Sequence, residues 1–108
     1  MNWISLTNLS ELDKIKEDSF KNPKFIFKHS TRCSISKMVL SRFESTNNSV
    51  SMSVYLLDLL NYRDLSNQIA DDFNVKHESP QLLVIKDGKC HTHSSHMSIH
   101  QLNLFEQT

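Results

Sequence analysis

Apolar positions along the chain fall into short blocks separated by polar turns. Leu9, Leu12 and Ile15 repeat at helical spacing and predict a first helix over about 10–19, capped by Ser10 or Asn8. Pro23 ends it. Phe25-Ile26-Phe27 is aromatic and β-branched and reads as a buried strand. After the polar stretch Lys28 to Arg32, residues Ile35, Met38, Val39 and Phe43 share one helical face, so a second helix begins at or just before Cys33 and ends at Asn47-Asn48-Ser49. Val50 to Asp58 predicts a second strand. Leu65, Ile69 and Phe73 predict a third helix, with Asn61 as cap and Asp64 three residues on. Pro80 interrupts before the buried run Leu82 to Ile85, and Asp87-Gly88 is a strong hairpin signal that returns the chain through Cys90 to His96. Ser98 with Gln101 has the form of a capping box, opening a last helix through Ile99, Leu102 and Phe105.

The resulting order is α-β-α-β-α-β-β-α. Strands separated by helices imply parallel pairing through right-handed crossovers, and the hairpin adds an antiparallel edge. The expected fold is therefore α/β: one domain over 1–108, with a mixed four-stranded sheet and helices on both faces.

Composition narrows the function. The 108 residues suit one hydrophobic core, and 12 basic residues balance 12 acidic ones. A neutral chain has no electrostatic reason to seek nucleic acid or an anionic membrane. No apolar run is long enough to span a bilayer, and the first ten residues lack a signal-peptide pattern. The expected compartment is the cytosol, where Cys33 and Cys90 stay reduced.

Cys33 carries the chemistry. It sits in a polar loop at a helix start, where the helix dipole and free backbone N–H groups stabilise a thiolate, the nucleophilic form. Arg32 is adjacent, Lys28, His29 and Lys37 are near in sequence, and no acidic residue lies between Pro23 and Glu44. Cys90 follows the hairpin turn. Counting about 3.3 Å per strand residue puts it roughly 16–20 Å from the Pro80 end, out of reach of a cysteine that faces that end. The same count returns His96 to that end, beside Pro80. There it either binds a ligand carboxylate or donates a proton, or is a loop histidine in solvent. Cys90, His91, His93, His96 and His100 invite a metal reading. Period-two alternation opposes it by placing His91 and His93 on one strand face and Cys90 and His96 on the other, so no metal site is expected.

The element order is that of the thioredoxin fold. The segment Phe27-Lys28-His29-Ser30-Thr31-Arg32-Cys33-Ser34-Ile35-Ser36, with Ser79-Pro80-Gln81 and Ser95-His96, resembles the monothiol bacilliredoxins over nearly the whole chain. One position departs: many members carry Pro directly after the cysteine, where this chain has Ser34. The resemblance implies a cis bond at Ser79-Pro80, in a loop facing Cys33. It also implies cytosolic thiol–disulfide exchange in the stress response, through Cys33, with bacillithiol as co-substrate and no resident cofactor. The partners would be a low-molecular-weight thiol and S-thiolated client proteins. Arg32, Ser34, Ser36, Ser79, Pro80 and His96 would stabilise the thiol or bind the ligand. Ser36 stands where dithiol relatives have a resolving cysteine, and it either donates to the thiolate or faces water. Phe27, six residues before Cys33, stands where thioredoxins bury a carboxylate, which fits a protein that does not resolve its own disulfide. Two other readings remain open. One is a non-catalytic binding module using the Pro80-side groove. The other is an iron–sulfur carrier of the monothiol glutaredoxin kind, for which the expected Gly-Gly turn is missing, Gly88 being the only glycine.

Overall fold

The computed structural model describes residues 1–101 and 103–107, with the side chains of residues 100, 101 and 105 outside that description. The elements are β1 (Asn2–Ser5), α1 (Leu9–Asp18), β2 (Lys24–His29), α2 (Ser34–Thr46), β3 (Ser53–Asp58), α3 (Arg63–Phe73), β4 (Gln81–Lys86) and β5 (Lys89–Ser95). Two 3-10 helices follow, His96–Gln101 and Leu104–Gln107. The sheet runs β1-β3-β2-β4-β5. The aromatic and aliphatic runs of β2 and β4 are buried nearly end to end, because these central strands are covered on both faces. On one face Leu12 and Ile15 of α1 and Leu65, Ile69 and Phe73 of α3 pack against Ile26, Leu83 and Ile85. On the other, Val39 and Phe43 of α2, Ile99 and Leu104 pack against Phe25, Phe27, Leu82 and Val84.

Several expectations are corrected. The sheet has five strands, not four. The extra strand, β1, is four residues whose ends are exposed, so only Trp3 and Ile4 mark it, and it forms by pairing in parallel with β3. The second strand starts at Ser53 rather than Val50. The crossover from β3 to β4 does not give parallel pairing: β4 lies antiparallel to β2, with Lys28 opposite Gln81 and Lys24 opposite Ile85. The reason is the irregular segment 74–80: Gln81 pairs with Lys28 near the C-terminal end of β2, so this segment carries the chain back to that end before β4 begins.

Of the two caps expected for α1, Asn8 is the one used, accepting the Glu11 N–H at 3.0 Å; the cap of α3 shifts. Tyr62 rather than Asn61 precedes α3, and Asn61 instead donates to the Asp58 carboxylate at 2.7 Å. The last helix is two 3-10 segments. Ser98 lies inside the first, its hydroxyl donating to the Ser95 carbonyl at 2.7 Å, and so does not open a helix. Leu102 and the side chains of Gln101 and Phe105, expected on that helix, lie outside the described residues. The Asp87-Gly88 turn forms with φ of 52° and 75°, the left-handed pair that a two-residue hairpin requires. Among the described residues no helix is long and apolar enough to cross a membrane.

Candidate functional site

β2 and β4 place the site. β2 ends at His29 at the edge where β4 begins, since Lys28 pairs with Gln81. Cys33 and the Pro80 loop therefore meet at the same end of the sheet.

Cys33 is the N-cap of α2, with φ −99° and ψ 121°. Its backbone is used at both ends: its N–H donates to the Ser30 carbonyl at 3.2 Å and its carbonyl accepts the Lys37 N–H at 3.0 Å. Its half-buried Sγ makes no capping bond, and the first turn of α2 carries no acidic residue. Arg32 and Ser34 flank it and are exposed.

Ser36, one turn into α2, is fully buried. Its Oγ accepts the Ser30 N–H at 3.1 Å and lies 2.7 Å from His29 Nδ1. The hydroxyl is thus committed to the strand-to-helix loop and not to water. Burial lowers the pKa of His29, Asp58 opposes that shift and Lys37 adds to it, so His29 is neutral at neutral pH. Phe27 lies beneath, with ring centroids 5.7 Å from Trp3 and 5.5 Å from Phe43, and an aromatic cluster fills the space where a buried carboxylate would sit. Lys28 does not contribute to the charge around Cys33. Strand alternation turns it to the α3 face, where it is fully buried.

Ser79–Pro80 is a cis peptide bond, and the Pro80 carbonyl accepts the His96 N–H at 2.9 Å. That bond ties His96, itself at φ 55°, to the Pro80 loop. The exposed His96 ring has Nδ1 3.7 Å from Glu78 Oε2. A hydrogen bond from Ser95 holds Glu78 below the usual carboxylate range, helped by the positive charge of His96, Lys76 and His93. The Ser79 hydroxyl is buried with no partner among the described residues. Arg32, Cys33, Ser34, Ser36, Ser79, Pro80 and His96 are thus gathered at one end, with Ser36 below the surface.

Cys90 stands at the other end, opposite Ile85. Ile85 is four residue steps along the strand from Gln81, about 14 Å. Burial pushes the Cys90 thiol up, and its Sγ donates to the Thr92 carbonyl at 3.3 Å. A β-bulge between Val84 and Ile85 leaves His91 unpaired and sets His93 opposite Leu83. Cys90 and His93 consequently share the face of Ile85 and Leu83, which corrects the simple alternation expected for the histidines. Among the described residues no three His, Cys, Asp or Glu side chains converge as a metal site, and the His100 side chain lies outside them.

Sequence reasoning missed two roles. His29, singled out only for its charge, contacts Ser36 across seven positions, a spacing with no established signature. Glu78 precedes Pro80 by two and reads as an ordinary loop acid.

The model of the family described as monothiol bacilliredoxin BrxC matches residues 4–104. The chain belongs to this family. It is also similar to a solved protein described as a candidate oxidoreductase with a thioredoxin fold, at 30% identity and TM-score 0.85, over 97% of this chain and 92% of that one. Thioredoxin from Trypanosoma brucei brucei matches with TM-score 0.74 at 11% identity, over 98% and 87% of the two chains. Malassezia sympodialis thioredoxin matches with TM-score 0.72 at 12% identity, over 94% and 84%. At those identities the thioredoxins establish the fold alone. Family and fold together give this chain a thiol-based redox role.

Proposed function

We propose that the protein is a monothiol thiol–disulfide oxidoreductase that removes bacillithiol from mixed disulfides on client proteins. One observation supports this above the others: Cys33 presents an uncommitted sulfur at the start of a helix, while Ser36 at the resolving position is buried and engaged with His29 and Ser30. A helix start of this kind stabilises a thiolate.

The Cys33 thiolate attacks the bacillithiol sulfur of the mixed disulfide. The client S–S bond breaks, its electron pair leaves on the client sulfur, and that thiolate takes a proton from water. A Cys33–bacillithiol disulfide forms in the same step. Ser36 has no second sulfur with which to close an internal bond. A free bacillithiol thiolate therefore attacks the adduct, forming bacillithiol disulfide and returning the Cys33 thiolate. Arg32 and His96 border the site as donors for a ligand carboxylate, and the Ser79-Pro80 segment walls it. Such chemistry belongs in the cytosol, where free thiols are maintained, and is most in demand when oxidation has loaded client cysteines.

The test is a reporter protein bearing one bacillithiolated cysteine, mixed with excess bacillithiol and a catalytic amount of this protein. The expected result is faster release of the reduced reporter, lost in Cys33→Ser and kept in Cys90→Ser. Release at the same rate with and without the protein would leave a non-catalytic binding module using the Pro80-side groove.

A further inference from the structure

Lys28 is a charged side chain in the middle of the sheet that the exchange chemistry does not use. It is fully buried, and its Nζ donates to the Ser66 carbonyl of α3 at 3.0 Å and lies 3.3 Å from His77 Nδ1. Neither partner is a carboxylate. An apolar side chain of the same length would fill this place without carrying a charge into the core, so the ammonium has to be explained by what it holds.

What it holds is the segment that delivers the cis-proline. His77 lies in the stretch between α3 and β4, three residues before Pro80. Gln81 stands directly opposite Lys28 in the ladder and donates from Nε2 to the Lys76 carbonyl at 3.0 Å. Two adjacent residues of an irregular segment are thus fastened by buried side chains, at Lys76 by Gln81 and at His77 by Lys28 together with the Ser66 hydroxyl, which also lies 3.3 Å from Nδ1. Beyond them the Pro80 carbonyl takes the His96 N–H. We propose that Lys28 is a positioning residue of the exchange site, its ammonium holding the His77–Pro80 segment in the place where it walls the bound disulfide. The proposal rests on the reading of the Pro80 segment as that wall.

The arrangement has a working pH range. Burial lowers the pKa of His77, the charges of Lys28 on β2 and Arg63 on α3 add to that shift, and Glu78 opposes it. A neutral His77 accepts from the ammonium through Nδ1. Protonating His77 sets two cations side by side and removes the acceptor. Burial brings Lys28 itself down to about 8, so the charged hold weakens in alkali.

Lys28→Met, His77→Asn and His77→Leu test this against the wild type. Three readouts are compared: alkylation of Cys33 by iodoacetamide, which needs no wall; thiolation of Cys33 by oxidised bacillithiol, which does; and amide hydrogen exchange over residues 76–80. In Lys28→Met and His77→Leu, alkylation should stay within about twofold while thiolation falls about tenfold through a higher half-saturating concentration, the scale expected when a positioned wall moves. Exchange over 76–80 should quicken. His77→Asn keeps an acceptor near the place of Nδ1, so it should match the wild type at neutral pH and hold its ratio of thiolation to alkylation in acid, where protonation of His77 lowers that ratio in the wild type. Wild-type exchange over 76–80 with a wild-type ratio of thiolation to alkylation in both Lys28→Met and His77→Leu would overturn the proposal. So would an equal fall in both reactions, which marks general damage. If the wild type shows no thiolation by oxidised bacillithiol, the functional reading fails, and exchange over 76–80 alone decides whether Lys28 holds the segment.

Discussion

Burying Lys28 makes stability depend on pH in a way that a single substitution should remove. Its pKa falls from the ordinary 10.5 to about 8 because burial disfavours the charged form. Between those two values the unfolded chain holds a proton that the folded chain has released. Stability therefore rises with pH across that window, and the cost of the buried charge is fully present below it. Each pKa unit is worth about 1.4 kcal/mol, so the full effect is about 3.4 kcal/mol, of which roughly 2.5 kcal/mol disappears between pH 7 and pH 10. Lys28→Met has no proton to release. Other groups titrating at high pH are common to both proteins and cancel in the difference. Urea denaturation of both proteins at pH 7 and pH 10 should show the stability difference moving by about 2.5 kcal/mol in favour of the wild type at the higher pH. A difference that stays constant within about 0.5 kcal/mol would refute the argument, because Lys28 would then titrate as it does in water.

Three further outcomes follow from the geometry. Ser36→Cys puts a thiol at the buried position one turn after Cys33, so it should convert the chain to a dithiol protein. Intact mass after oxidised bacillithiol would show mostly an internal disulfide, about 2 Da lighter than the reduced protein, in place of a lasting adduct. Cys90, with its thiol raised by burial and donating to Thr92, should alkylate on the order of tenfold more slowly in Cys33→Ser than Cys33 does in Cys90→Ser at neutral pH. In Gly88→Ala the new Cβ would meet the Phe20 ring at 3.0 Å at a residue with φ of 75°, and urea melts should show a loss of about 1–2 kcal/mol. Adding Phe20→Ala should recover the contact part of that loss and leave the backbone part.

The elements legible in the sequence were those whose local pattern and tertiary role agree. Phe25-Ile26-Phe27 and Leu82 to Ile85 are apolar because both sheet faces are covered. Asp87-Gly88 makes a turn that few other residue pairs accept. Cys33 in a polar stretch before an amphipathic run had to sit at a helix start. What escaped was decided by contacts distant in sequence. β1 exists because Ser53 to Leu56 offers it a ladder. The direction of β4 depends on how far the 74–80 segment climbs, which hydrophobic periodicity does not encode. Within the site, the burial of Ser36 depends on His29 seven residues earlier, and the turning of Lys28 away from Cys33 depends on strand phase. A residue close to Cys33 in sequence therefore lies on the opposite face of the sheet.

The central claim is that Cys33 alone exchanges with bacillithiol disulfides. The most direct test mixes the reduced protein with oxidised bacillithiol, or separately with oxidised glutathione, and follows intact mass beside Cys33→Ser and Cys90→Ser. The account predicts one fast bacillithiol adduct, absent only in Cys33→Ser and formed faster than the glutathione adduct. Modification of Cys33 no faster than that of Cys90 by either disulfide would contradict it.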